Sequence, residues 1–379
     1  MREQLRGESE NFPGPVWVAA VGKAAAAMAA GAHEALGSAI ERTLIITRDA
    51  DSCAGLPGVA GIEVLYGAHP LPDEGSLAAG ARLLQWLDEL PAAAQPLFLI
   101  SGGASSLVEA LKPGVTLSEL QALNRAGLAQ GIAIGELNAR RVAISALKGG
   151  QLAARLQGRP ARALFISDVP HDDPAVIGSG LLGPATGGPD HIARTVVASI
   201  ADAVAAVSAR ALGYGLTVHA PARRFDDSAT RLAARFAHEL SLAATQVCVW
   251  GGESTVALPP NPGHGGRNQH LALAAARLIA GHPDLLLLAA GTDGSDGVTE
   301  DAGALVDADS CGRVALAELD ADECLARADA AQALAASGDL VHTGPTGTNV
   351  GDLVIGLKLA LAAVRTLPGL RDGLRSRVL

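Results

Sequence analysis

Two cations in this chain stand where a helix start would ordinarily favour a hydroxyl or a carboxylate. Lys23 follows VWVAAVG (16–22) and precedes an alanine-rich run, and Arg267 follows two glycines in HGGRNQ (264–269) before a segment rich in Ala and Leu. A helix N-terminus already carries partial positive charge, so a cation there predicts an anion arriving from outside. Lysine is scarce: 25 of the 29 basic residues are Arg, and only Lys23, Lys112, Lys148 and Lys358 are Lys. Lys23 and Lys148 (LKGG) adjoin glycine, as suits a compact ammonium approaching a phosphate or carboxylate, although codon usage alone would also give this pattern.

The remaining polar clusters are rich in oxygen and glycine. SGGASS (101–106) combines the backbone of Gly102 and Gly103 with the hydroxyls of Ser101, Ser105 and Ser106, an anion nest or else a serine-capped turn. GTDGSDG (291–297) offers Thr292, Asp293, Ser295 and Asp296, and SDVP offers Asp168. Such carboxylates suit Mg²⁺ or a general base, and equally a solvated turn. GGEST brings Glu253, and GPTGTNVGD (344–352) brings hydroxyls and the Asn349 amide. Cations, carboxylates and glycine-rich loops together point to phosphoryl transfer, where positioning and charge neutralisation do most of the catalysis.

These clusters need a scaffold that gathers them. LFLI before SGGASS, ALFI before SDVP, QVCVW before GGEST and LLLLAA before GTDGSDG are apolar runs, each ending in small and polar residues. Continuous apolar strands followed by glycine-rich turns predict an α/β fold with parallel sheets covered on both faces and ligands at the carboxyl ends of the strands. Helices are expected over 76–89, 117–132, 192–212, 228–242 and 269–279. LTVHAPARRFDD (216–227) serves as the linker, giving domains 1–215 and 216–379.

Composition excludes several classes. The 379 residues are 49% hydrophobic with a net charge of −10 and no basic run, which argues against nucleic acid and anionic membranes. No apolar stretch approaches the roughly 18 residues of a membrane span, and the N-terminus reads as no targeting segment. Four cysteines lack C-x-x-C spacing, so neither a zinc site nor a disulfide framework is suggested, and a cytoplasmic protein fits best. A Walker A loop would need Gly at 17 and Ser or Thr at 24, where Trp17 and Ala24 stand. GSGLLG (178–183) matches the dinucleotide fingerprint in letters only, since it runs into Pro184 and opens no helix.

In order, VGKAAAAM, GAHPLPDEGS, SGGASSL, LKGGQLA, SDVPHDDP, GGESTV, GGRNQHLALA, GTDGSDG and GPTGTNVGDL resemble the motifs of the glycerate 2-kinase family, with its DUF4147 and MOFRL domains. The likeness spans nearly the whole chain. It implies transfer of a phosphoryl group from ATP, with Mg²⁺, to the 2-hydroxyl of D-glycerate. It also implies two α/β/α domains with mixed, mainly parallel sheets, the first Rossmann-like, and an active site in the cleft between them. Carried over on motif match, Lys23 would hold phosphate or the glycerate carboxylate and Arg267 would stabilise the transferring group. Asp168 or Asp293 would bind Mg²⁺ or take the hydroxyl proton. Ser101, Gly102, Gly103, Ser105, Ser106, Lys148, Glu253, Thr292 and Asn349 would complete the nucleotide and substrate contacts. The expected partners are small molecules, with a homodimer left open.

The chain departs from the family pattern at Ala104, where a third glycine is usual, at His270, where Glu is common, and at SGLLGP, where S-G-P is usual. The N-terminal helix before the GKA strand is largely missing. Three other readings stand beside the first: an NAD(P)H-dependent hydroxypyruvate or tartronate semialdehyde reductase, whose only sequence support is GSGLLG, a metabolite-binding homologue without turnover, suggested by the altered loops, and a kinase for another small hydroxy acid.

Overall fold

A computed structural model describes residues 4–5, 12, 14–48, 50, 53, 61–130, 134–185 and 187–359. It divides into two compact units, Met1–Ser199 with Gly347–Val350, and Ile200–Thr346 with Gly351–Leu379.

The first unit contains β1 Val16–Val21, α1 Ala25–Leu36, β2 Ile40–Thr47, β3 Ile62–Tyr66, α2 Glu74–Asp88, β4 Gln95–Ile100, α3 Ala104–Leu107, α4 Leu117–Gln130, α5 Ile134–Ile144, α6 Gln151–Arg155, β5 Ala161–Ile166 and β6 Ile192–Ala198. Its six strands lie in the order β3-β2-β1-β4-β5-β6, every pair parallel, which is the Rossmann order. All six residues of β1 are buried, as a strand covered on both faces requires. On one face Trp17, Ala19 and Val21 pack with Leu83 and Trp86 of α2 and with Phe98. The Trp86 and Phe98 rings meet edge to face at 5.9 Å. Helix α1 buries Ala25, Ala26, Ala29 and Ala32, small side chains that let it lie close along β1, β2 and β4, together with Met28 and Leu36. A capping box starts α2: Asp73 Oδ1 accepts from Ser76 N at 2.9 Å, and Ser76 Oγ accepts from Asp73 N at 3.2 Å.

The second unit contains α7 Ile200–Gly213, β7 Val218–His219, β8 Phe225–Ser228, α8 Ala229–Leu242, β9 Val247–Thr255, α9 Arg267–Ile279, β10 Leu285–Gly291, β11 Gly303–Val306, α10 Ser310–Leu316, α11 Ala321–Ala326, α12 Ala330–Ser337, β12 Leu340–Val341 and β13 Asp352–Lys358. The sheet order is β12-β11-β10-β13-β9-β7, with β8 also paired to β9. Cys248 and Trp250 enter a core with Phe236 and Leu240 of α8 and Leu271 of α9. Val247 and Val249 alternate to the other face and pack with Ala211 of α7, so this unit is also three-layered.

The expected mixed, mainly parallel pairing holds for the chain as a whole, with the antiparallel share confined to the second unit. There only β7 and β8 run parallel to β9, and the pairs along β9, β13, β10, β11 and β12 are antiparallel. Other expectations are corrected. Residues 192–198 form β6 and not the start of a helix, because Ile192, Thr195, Val196 and Val197 favour an extended chain, which pairs with β5 through Ile192–Val196 and Ala198. GGEST is the end of β9 and not a turn, its Gly252 leaving room for the close approach of Phe225 on β8. The first unit closes at Ser199, because α7 packs on β9 and β13. The helix expected over 117–132 is α4, and residues 131–132 lie outside the described residues.

Candidate active site

The order of the first sheet reverses at β1 and β4, whose neighbours are reached by crossovers in opposite directions. Ligands of open α/β sheets bind at such a switch point. The turns leaving these two strands are VGKA and SGGASS, and they are knitted together. Lys23 N donates to Gly102 O at 2.9 Å, Ser101 N donates to Val21 O at 3.0 Å, and Ala24 N donates to Ser101 Oγ at 3.0 Å. Gly22, at φ +131°, leaves the space that Ser101 fills. Half-buried Lys23 thereby stands over Gly103: a Cβ there would lie 3.1 Å from Lys23 Cγ and 3.3 Å from His69 Cδ2. His69 belongs to the GAHP motif but drew no role from sequence, since only the fold brings it here.

Gly102 is glycine for a different reason. A side chain there would overlap Asp168 Oδ2 and Asn349 Nδ2, and Asn349 Nδ2 donates to Asp168 Oδ2 at 2.9 Å. Three residues singled out from separate motifs thus meet at one point of the first unit. Ala104 needs no left-handed backbone, because Gly103 takes that conformation at φ +84° and Ala104 is the buried first residue of α3.

The remaining serines divide by role. Ser101 is fully buried as the partner of Ala24, and Ser106 Oγ donates to Pro70 O at 2.8 Å, so both brace the turn. Ser105 is partly exposed, with its hydroxyl 2.5 Å from Ser179 Oγ. Lys148 does not face a loop. It is fully buried, its ammonium paired with the equally buried Glu109, which also accepts from Ser145 Oγ at 2.5 Å. Burial pulls the Lys148 pKa down while Glu109 works to restore it. Its expected contact with a bound anion is corrected to a structural ion pair.

In the second unit Arg267 is the first residue of α9. Its Nε lies 2.7 Å from Asp352 Oδ2, its Nη2 donates to Asp352 Oδ1 at 3.1 Å, and its Nη1 donates to Glu253. Burial disfavours the charge, yet Asp352 and Glu253 outweigh it and hold the guanidinium pKa above its ordinary value. Asp352 drew no role from sequence, although it closes the GTNVGD motif.

Asp296 caps α9: its carboxylate accepts from Asn268 N at 3.1 Å, Asn268 Nδ2 at 3.2 Å and Gln269 N at 2.7 Å. Gly266 has no side chain because one would meet that carboxylate. Burial raises the Asp296 pKa to about 6 against the pull of these N–H groups. Thr292 donates to Gly351 O at 2.7 Å, and Asp293 Oδ1 accepts from Ser295 N at 3.1 Å, which sets the shape of the GTDGSDG turn. His270 is buried with Nε2 3.3 Å from Thr230 Oγ1, its pKa lowered by burial, and so belongs to the packing of α9 on α8.

Among the described residues no three His, Cys, Asp or Glu side chains converge on a metal position. Mg²⁺ needs no such cage, being held by one or two carboxylates with phosphate oxygens and waters, and a hard carboxylate such as Asp168 in the first unit, or Asp293 in the second, is of the kind that suits it. GSGLLG forms a tight turn with Gly178 and Gly180 at φ +60° and +70°, and it does not open a helix after a strand. No helix among the described residues is long and apolar enough to cross a membrane.

Fold and site define a protein of two α/β units with glycine-rich turns at the ends of their strands. The model of a domain of unknown function, DUF4147, matches residues 2–210, and that of the MOFRL family matches 246–352. A D-glycerate 2-kinase of Thermotoga maritima is 34% identical, covering 90% of each chain. A protein of Agrobacterium vitis, provisionally named a hydroxypyruvate reductase, is 35% identical over 89% of this chain and 85% of its own. The crystal structure of a Thermotoga maritima glycerate kinase superposes with a TM-score of 0.80 at 31% identity, covering 94% of this chain and 95% of that one. The chain belongs to the glycerate 2-kinase family.

Proposed function

We propose that the protein transfers the γ-phosphoryl group of ATP to the 2-hydroxyl of D-glycerate, yielding ADP and 2-phosphoglycerate. The observation that carries this reading is Lys23 beside Gly103, on a turn hydrogen-bonded to SGGASS at the switch point of the sheet. The name of the Thermotoga relative supports the substrate.

In the reaction the 2-hydroxyl oxygen bonds to the γ-phosphorus as the bond to the bridging oxygen breaks, and that electron pair leaves with ADP. The protein mainly positions and neutralises. Lys23 supplies a compact ammonium for a phosphate or for the glycerate carboxylate. Arg267 donates from Nη2 to Asp352 and from Nη1 to Glu253, with Nε in the ion pair to Asp352, and its remaining N–H groups are the ones offered to phosphoryl oxygens. Mg²⁺, when bound, supplies neutralisation of the phosphate charge. Asp168 or Asp293 is the carboxylate for holding it or for taking the hydroxyl proton.

The reading is tested by ADP release with ATP, Mg²⁺ and D-glycerate, beside NADH and NADPH consumption with hydroxypyruvate. Glycerate-dependent ADP release without nicotinamide oxidation is expected, and the converse would replace the kinase with a reductase. The reductase reading loses its sequence support in the turn formed by GSGLLG. Ala104 fits as the buried first residue of α3, so that departure lends no weight to a homologue without turnover.

A further inference from the structure

GSGLLG matches no nucleotide site, yet its backbone is unusual. Gly178, Ser179 and Gly180 are consecutive left-handed residues at φ +60°, +58° and +70°. Serine rarely adopts this conformation, and such strain persists only where the surroundings impose it. They do so here: Gly149 N donates to Ser179 O at 3.0 Å and Gly150 N donates to Gly180 O at 2.8 Å, clamping the turn onto LKGG. The result is a buried Ser179 hydroxyl lying between Asn138 and Ser105.

The direction of this chain of hydrogen bonds follows from its far end. Arg141 Nη1 donates to Asn138 Oδ1 at 3.3 Å, and a guanidinium only donates, so that atom is the amide oxygen. Ser179 Oγ, 3.0 Å away, must then give its hydrogen to Asn138. With that hydrogen spent, the 2.5 Å contact needs Ser105 as its donor. Ser105, the partly exposed serine of SGGASS, is left with lone pairs alone to offer a ligand.

We propose that Ser179, oriented by Asn138, is a positioning residue that fixes Ser105 as the acceptor for the non-reacting hydroxyl of the hydroxy-acid substrate. A carboxylate or phosphate oxygen cannot pair with a lone pair, whereas a hydroxyl can donate to it. The reacting hydroxyl must lose its proton, and Ser105 already carries one committed to Ser179. The contact therefore recognises the hydroxyl that is retained. This inference rests on the proposed reading of SGGASS as part of the glycerate site.

The test measures the KM of D-glycerate in ADP release and the inhibition constant of D-lactate, which lacks the 3-hydroxyl. Ser105→Ala, and Ser179→Gly, which also relieves the left-handed strain, are expected to raise the glycerate KM about tenfold and leave the lactate constant within twofold. Asn138→Leu behaves like Ser179→Gly, while Asn138→Asp, which keeps an acceptor toward Ser179, restores the discrimination. Equal shifts for both compounds, or no shift for either, overturn the inference while the kinase reading stands. Absence of glycerate-dependent ADP release in the unaltered protein removes both.

Discussion

Arg267 grips Asp352 with both edges of its guanidinium, Nε 2.7 Å from Oδ2 in an ion pair and Nη2 donating to Oδ1 at 3.1 Å. Asp352 is almost wholly buried while the Arg267 side chain is 36% exposed, so the carboxylate is the fixed partner. A lysine cannot reproduce this grip. Arg267→Lys is expected to lower kcat at least a hundredfold in ADP release, the scale on which arginines act in phosphoryl transfer. Retention of kcat would remove Arg267 from the reacting centre.

Lys23→Ala should leave the fold intact, since the residue lies in a turn and its backbone N–H still reaches Gly102. Kinetic constants for glycerate and ATP, with circular dichroism as the control, should show a loss of roughly a hundredfold in kcat/KM. A folded variant with unaltered kcat/KM contradicts the assignment.

Gly102→Ala would push a methyl group into the Asp168 and Asn349 pair. Overpacking of this kind costs about 1–3 kcal/mol. Thermal melting should report that loss, and turnover should fall by more than the melting shift explains, because Asp168 is displaced.

Lys148→Met leaves the Glu109 charge buried without its partner and should cost about 3–5 kcal/mol in denaturant unfolding. The double change Lys148→Met with Glu109→Leu should recover most of it. Normal stability in Lys148→Met, accompanied by a raised KM for ATP, would return Lys148 to the role the sequence suggested.

Asp296 predicts a pH signature. Its folded pKa of about 6 lies above the ordinary carboxylate value, so between about pH 4 and 6 the folded protein binds more protons than the unfolded chain. Stability from this group is present below pH 4 and is lost as pH rises through 6, by about 3 kcal/mol in all. Denaturant unfolding across this window should show Asp296→Asn losing less stability than the unaltered protein. Parallel curves for the two would contradict the raised pKa.

How far the sequence was legible depends on the range of the cause. The strand-turn-helix units around Lys23 and Ser101 are local, and apolar runs ending in glycine were enough to find them. Antiparallel pairing of β10 with β13 was not visible, because a strand covered on both faces reads as the same apolar run in either direction. Lys148 misled because its partner, Glu109, lies 39 residues away and only folding brings them together. Asp296 was seen as an oxygen ligand, and its task of capping α9 depends on a turn meeting a helix 27 residues earlier. Ser179 was part of a rejected motif, and nothing in its letters marks a left-handed serine.

The central claim is that the phosphoryl group goes to the 2-hydroxyl of D-glycerate. Phosphorus NMR of the product formed from ATP, Mg²⁺ and D-glycerate tests it most directly, because an ester on the secondary carbon couples to one proton and one on the primary carbon to two. The account predicts a proton-coupled doublet growing with ADP. A triplet would place the phosphate on the 3-hydroxyl, and no new ester while hydroxypyruvate oxidises NADH would contradict the kinase itself.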